Sequence, residues 1–259
     1  MKFQNSSTKK LVPVIIKIVP IVIFLLLWQF VSSREIINPN LFPPPTSVFN
    51  ALVAWIQSGV LWTDVGASLW RMLTGFFIGS ALGIIIGMLT GRLKSLNLTV
   101  VPLIQIFRPL PPVAIIPLII VWLGIGDTAK IFSISFAVFF PVWINTHLGA
   151  SNISKDYLRS ASLLTPSRTK TFFSVLLPAA LPSIIAGLRT GIPIAYVMVY
   201  VSEIAGASEG LGYRISVSHL AYRIDTMMAA LFVLALAGAL TDILFTFLIR
   251  KMFPWIKFL

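Results

Sequence analysis

The sequence predicts an all-α, polytopic membrane protein with about six transmembrane helices. Three observations predict it. Of 259 residues, 57% are hydrophobic and only 11% are charged, where a soluble domain of this length carries about 25% charged. The apolar residues, with a mean hydropathy of +0.94 for the chain, gather into runs of the roughly 20 residues that cross a bilayer as helix. The cations stand at the ends of those runs, so the net charge of +12 reads as positive-inside topology. It does not form a basic patch with interleaved aromatics, and nucleic acid is not an expected partner.

The elements follow in order. Leu11–Val31 is the first apolar run, preceded by Lys2, Lys9 and Lys10. It is long for a signal-peptide core and is expected to be an uncleaved helix. Ile36–Ser47, with Pro39 and Pro43 to Pro45, is an extended connector that cannot continue a helix. Val48–Leu61 reads as a short amphipathic surface helix. The second span is expected near Leu69–Thr90. In it Gly75, Gly79, Gly83 and Gly87 share one helix face, where small residues admit a close neighbour. The third, Leu98–Leu123, holds Pro102, Pro109, Pro111, Pro112 and Pro117. It must be kinked or broken, which is tolerated only where protein or water satisfies the freed carbonyls. The fourth, fifth and sixth spans are expected near Ala129–Leu148, Leu181–Val201 and Met227–Ile249. No long repeat or low-complexity tract is evident. The chain reads as one membrane-embedded domain, 1–259, made of an N-terminal helix (1–35), a connector with an interfacial helix (36–62) and a core (63–250) that includes the loop 151–178.

Six spans put both termini on one side. That side holds Lys2, Lys9, Lys10, Lys17, Arg92, Lys94, Lys155, Arg159, Arg168, Lys170, Arg250, Lys251 and Lys257, against Arg34, Arg71, Lys130, Arg214 and Arg223 opposite. The imbalance predicts cytoplasmic termini and a cytoplasmic loop 149–180.

No chemistry of catalysis is visible. The absence of cysteine excludes disulfides, thiolate metal sites and Cys nucleophiles. His147 and His219, the two histidines, read as lone interfacial imidazoles, so no metal site is expected. No Ser/His/Asp grouping suits an intramembrane hydrolase, and no nucleotide-binding motif occurs. Gly206, Gly210 and Gly212 are turn residues, since no strand precedes and no Lys-Ser/Thr follows.

The remaining candidates each have two readings. Arg71, Arg108 and Arg189 either attract an anionic solute or, lying near helix ends, snorkel to headgroups. Glu203, Glu209, Asp225 and Asp242 show no paired arrangement suited to a proton relay. Glu203 is expected to order the outer loop with Arg214 or Arg223, and Arg189 is the candidate partner of Asp242. Tyr196, Met198 and Tyr200 either line a path or pack between helices. With Arg108 and Glu203 they form the candidate translocation path. In the loop, Tyr157, Ala161 and Leu164 share one small helical face suited to a partner's groove, and Pro166 would stop that helix. The other reading of the loop is a solvated connector held at the lipid surface by its cations.

Residues 155–193 also resemble the cytoplasmic loop of permease subunits in binding-protein-dependent ABC importers. The alignment runs through Arg159, Ser160 and Ala161, with Thr165 at the family's Gly position and Leu177 and Pro178 closing it. The family shows Glu where Arg159 stands, which reads as a diverged ATPase, as a loop that couples weakly, or as compensation by the nearby Asp156. SLWRMLTGFFIG (68–79), FRPLPPVAIIPLIIVWLGIGDTAKIF (107–132), FPVWINTHLG (140–149) and SEIAGASEGLGY (202–213) are similar to the nitrate/sulfonate/taurine type of permease.

The resemblance implies a type I importer permease fold in a bacterial inner membrane. It implies a non-catalytic subunit, paired with a second copy and served by an extracytoplasmic substrate-binding protein. ABC ATPase subunits would carry ATP and Mg, with no cofactor in this chain. A loop helix from about Asp156 to Pro166 would dock on the ATPase. The solute would be a sulfonate, taurine or nitrate-like anion, or a thiamine-precursor or vitamin-like molecule. A proton-coupled carrier and a non-transporting membrane scaffold are the alternatives.

Overall fold

The computed structural model describes residues 8–164 and 167–256, with side chains from Val19 onward except at 155, 158, 161, 162, 164 and 168. Every regular element among them is helical. The chain packs as two compact units. One holds the described residues up to Leu61 together with Ile215–Leu231, and the other Trp62–Arg214 with the described residues from Phe232.

In the first unit, α1 (Thr8–Ser33) is followed by the proline-rich connector and α2 (Pro45–Gln57). The connector turns back because α1 supplies its hydrogen bonds. Trp28 Nε1 donates to the Pro43 carbonyl at 3.1 Å, and Ser32 Oγ donates to the Phe42 carbonyl at 2.6 Å. Pro45 opens α2 at a position where its missing N–H costs nothing. The helix buries Val48, Ala51 and Trp55, the one-sided pattern of an amphipathic helix. It is shifted from the expected 48–61, starting at Pro45 and ending at Gln57. Gly59, at φ +76°, takes a left-handed turn that only glycine adopts cheaply, and α3 (Val60–Arg92) starts at once. The second span therefore begins about two turns before the predicted Leu69. Its apolar core is preceded by a partly polar stretch that reads as loop when hydropathy alone is considered.

In the second unit, α3 packs along α6 (Asp127–Ser151) on the glycine face. A Cβ on Gly83 would lie 2.9 Å from Val142 Cβ, and one on Gly87 2.6 Å from Thr146 Cβ. Gly75 meets Ile134, Gly79 the Ser135 backbone, and Gly91 extends the stripe to Ala150. Contacts rise together along both helices, so α3 and α6 run parallel. The next long helix, α9 (Leu177–Ile204), packs antiparallel on α6, with Gly149 against Ser183, Gly187 against Pro141 and Asn145, and Gly191 against Val138. Ile134, Val138, Val142, Met72, Phe76, Ile192 and Val199 form the core of this arrangement.

Between α3 and α6 lie α4 (Lys94–Phe107), a 3₁₀ turn (Pro112–Ile115) and α5 (Ile116–Leu123). The two halves meet at 81°, with Pro109, Pro111 and Pro112 at the break, as the proline content predicted. Because α3 and α6 run parallel, the chain between them must return from one end of the core to the other. The bent pair is therefore a crossing.

The loop after α6 carries α7 (Lys155–Leu164) and a short turn α8 (Arg168–Thr171). A π-helical segment, Phe172–Leu176, then leads into α9. Pro178 and Pro182 lack the N–H groups that a regular ladder needs, and the helix absorbs them instead of starting after them. Thr169–Ile204 is one apolar helix of 36 residues, longer than the predicted fifth span. The last helix, α11 (Ile224–Met252), follows α10 (Leu211–Leu220). Val60–Arg92, Asp127–Ser151, Thr169–Ile204 and Ile224–Met252 are each long and apolar enough to cross a membrane.

Candidate functional site

One end of the second unit holds a buried charge network. Arg71, 3% exposed, and Glu203, 1% exposed, lie at its centre, and Arg71 Nη1 donates to Glu203 Oε1 at 2.9 Å. Arg71 Nε donates to Asp127 Oδ1 at 2.7 Å, and Nη1 also reaches the Glu209 carbonyl at 2.8 Å. Ser68 Oγ donates to the Glu203 carboxylate at 2.8 Å. Gly212 N–H donates to Glu203 Oε2 at 2.8 Å. Both carboxylate oxygens are thus satisfied, which a buried charge requires.

The turn before α10 joins the same network. Gly210 N–H donates to Asp64 Oδ1 at 2.9 Å, and Leu211 N–H donates to Ser68 Oγ at 2.8 Å. Gly210 sits at φ +123°, and an added Cβ there would come 2.5 Å from Glu203 Oε2. The glycine is needed twice, for conformation and for room. Lys130 Nζ donates to the Ile125 carbonyl at 2.8 Å and lies 3.7 Å from Asp127.

Two expectations are corrected here. Glu203 does order the 205–212 turn, but through Arg71 and not through Arg214 or Arg223. Arg214 pairs with Asp64 at 2.8 Å. Nor does Arg71 snorkel. Its guanidinium is drawn inward because three acceptors from different elements converge on it. Asp64, Ser68 and Asp127 were not singled out by sequence reasoning. A polar residue every few positions along the first turns of α3 was the available signal.

The opposite end of the α6–α9 pair carries α7. Ser154 Oγ accepts the Asp156 N–H at 3.2 Å, capping the helix start. Asp156 and Arg159 pair one turn apart at 3.8 Å. Both side chains of this pair are largely exposed. Tyr157 is 67% exposed and Leu163, on the same face as Asp156 and Arg159, is 88% exposed. Ser160 is exposed as well. Ala161 and Leu164 lie in the helix with side chains outside the described ones, and Thr165 and Pro166 lie outside the described residues. Leu177 and Pro178 open α9.

The candidate path residues are dispersed. Arg108 caps α4 at the break of the bent pair and is exposed. Met198 is 2% exposed and Tyr196 7%, both within the α3–α6–α9 core. Tyr196 Oη is 2.7 Å from Thr241 Oγ1. Tyr200 is half-buried. Arg189 and Asp242 are paired, at 3.2 Å. His147 is held by Thr90 at 3.0 Å and stacks on Trp143. Among the described residues no cluster of three or more His, Cys, Asp or Glu side chains could hold a metal.

Parallel and antiparallel apolar helices locked by glycine contacts, with a bent crossing and an exposed helical loop, define a polytopic helical membrane protein. Residues 79–254 match the family of binding-protein-dependent transport system inner membrane components, and the chain belongs to that family. It is 31% identical over 238 residues to the taurine transport system permease protein TauC of Escherichia coli, covering 90% of this chain and 86% of that one. It is 32% identical over 233 residues to SsuC of Bacillus subtilis, named for aliphatic sulfonates transport, covering 90% and 84%. A chain of the MetNI methionine ABC transporter, described in inward-facing conformations, has the same fold. Its TM-score is 0.60 at 20% identity, covering 76% of this chain and 96% of that one. An amino acid ABC transporter with histidines gives a TM-score of 0.59 at 17% identity, covering 78% and 96%. The protein is a transmembrane permease subunit of an ABC importer with the type I fold. That displaces the carrier and scaffold alternatives.

Proposed function

We propose that this chain, as a pair of identical copies, forms the path by which a small sulfonate-type anion enters the cell. The observation that carries the reading is the similarity to TauC and SsuC over 90% of the chain. In this reading both termini are cytoplasmic. The α7 end meets ABC ATPase subunits, which hold the ATP and Mg, and the Arg71–Glu203 end meets an extracytoplasmic binding protein. The exposure of Tyr157 and Leu163 on α7 leaves both side chains open to a partner's groove, which supports the ATPase contact.

The test is reconstitution of the chain with its cognate ATPase and binding protein in liposomes. Taurine or ethanesulfonate should stimulate ATP hydrolysis and accumulate in the lumen. Stimulation by neutral vitamins or pyrimidines, with none by sulfonates, would reject the substrate class. Stimulation by neither would reject the solute assignment altogether.

A further inference from the structure

Two of the second unit's arginine–carboxylate pairs are of opposite character. Arg71 is sealed, with contacts of 2.7 and 2.9 Å. Arg189 and Asp242 meet at 3.2 and 3.4 Å, longer than the roughly 2.7–2.9 Å of a firm charge-assisted bond. Their side chains are 43% and 38% exposed. The pair uses Nε and Nη2 and leaves Nη1 outside it.

Its position makes the exposure informative. Arg189 lies near the middle of the 36-residue apolar helix Thr169–Ile204, far from either end. A charged side chain at that depth is costly against lipid and marks a functional position. Thr190 beside it is also exposed. Pro193, four residues on, brings no N–H to the Arg189 carbonyl, so a backbone acceptor is freed at the same level. The exposed stripe of α9 thus reads Ala186, Arg189, Thr190, Pro193 and Val197. The exposed stripe of α3 reads Phe77, Leu82, Ile85 and Leu89, which suits lipid. Freed backbone and charge at bilayer depth are tolerated where protein covers them or water reaches them, and the exposure of this stripe favours water.

We propose that the Arg189–Thr190 stripe of α9 lines the aqueous path, and that Arg189 is a mid-membrane binding site for the anionic group of the solute. Asp242 is its exchangeable counter-ion. With no solute present, Asp242 neutralises the guanidinium. An oxyanion arriving at Nη1 competes with it for the fork, and Asp242 returns to displace the anion onward. Such a site binds weakly and briefly, as a path requires. This inference rests on the anion reading proposed above.

The chain contains no cysteine, so single thiols report without background. In the reconstituted transporter, Thr190→Cys should react with a charged, membrane-impermeant thiol reagent at least about ten-fold faster than Leu82→Cys, and ethanesulfonate should slow it. Arg189→Gln should raise the KM for ethanesulfonate transport about ten-fold. The charge-swapped variant Arg189→Asp with Asp242→Arg should not restore it. Equal, slow reaction of Thr190→Cys and Leu82→Cys would overturn the proposal, because the stripe would then face lipid or be covered by a second copy. Full transport by the charge-swapped variant would also overturn it, since the pair would be only a clasp. If Arg189→Gln fails to assemble, Thr190→Cys still decides, because it leaves the pair intact. Wild-type protein that carries no sulfonate would reject the substrate reading. Wild-type transport with an unchanged KM in Arg189→Gln would reject only this inference.

Discussion

Glu203 shows how a carboxylate can be buried in a membrane protein without being a proton relay. Its oxygens receive Ser68, Arg71 and Gly212, so the charge is neutralised and fully hydrogen-bonded in place. Arg71→Ala would leave that charge uncompensated, at a cost of about 3–5 kcal/mol. A large fall in thermal midpoint in detergent would show it. Glu203→Gln keeps the shape but places an amide NH₂ beside Arg71 or Gly212, so it should also destabilise, though less. Equal midpoints for Arg71→Ala and wild type would mean that the network contributes nothing to stability. None of this pairing could be read along the chain, because Arg71 and Glu203 are 132 residues apart. The Arg189–Asp242 pair joins two opposite charges that both fall within apolar spans, and that placement makes it the more legible of the two.

At the scale of elements, the glycine stripe of α3 was legible because its spacing matches the helical repeat. Its partner was not, since several later helices could have filled the groove, and the structure assigns it to α6. Gly83→Leu should therefore break the α3–α6 contact, because the backbone of Phe139 and Trp143 already lies about 3.0 Å from where a Cβ would stand. Such overpacking costs about 1–3 kcal/mol where the helices can shift and prevents assembly where they cannot. Monodispersity on size exclusion separates it from Gly66→Leu, where a Cβ meets nothing within 4 Å. The α7 helix makes a second element-level prediction. Leu163→Asp should leave folding unchanged, since that side chain is 88% exposed, yet lower solute-stimulated ATP hydrolysis about ten-fold. Ala161→Asp tests the other face. Normal coupling in both variants would reject α7 as the ATPase contact. The break in the third span was legible from prolines alone, whereas the early start of α3 was not. Hydropathy marks the apolar part of a helix, and α3 extends beyond it into a polar, hydrogen-bonded turn.

At the scale of the whole chain, the helix directions constrain the topology. Parallel α3 and α6, joined through a bent crossing, and antiparallel α9 place the charge network and α7 at opposite ends of the same helix pair. The cation count then predicts which end is which. Ser167→Cys, beside α8, should react with an impermeant thiol reagent only from the cytoplasmic side, and Ser58→Cys, after α2, only from outside. Labelling with the opposite sidedness would invert the orientation and move the ATPase contact to the Arg71–Glu203 end.

By itself the sequence determined that the chain is helical, apolar and multi-spanning, where its crossings break, and which family it belongs to. These depend on composition, on local periodicity and on motifs in register, all of which are properties of neighbouring residues. Only the tertiary structure decided which helix lies in the glycine groove, which cation neutralises Glu203, and that the Arg71 pair is sealed while the Arg189 pair is loose and exposed at mid-span. Those depend on side chains far apart in sequence meeting where water is scarce. There a charge is kept by the partner that geometry brings to it, and sequence order does not reveal that partner.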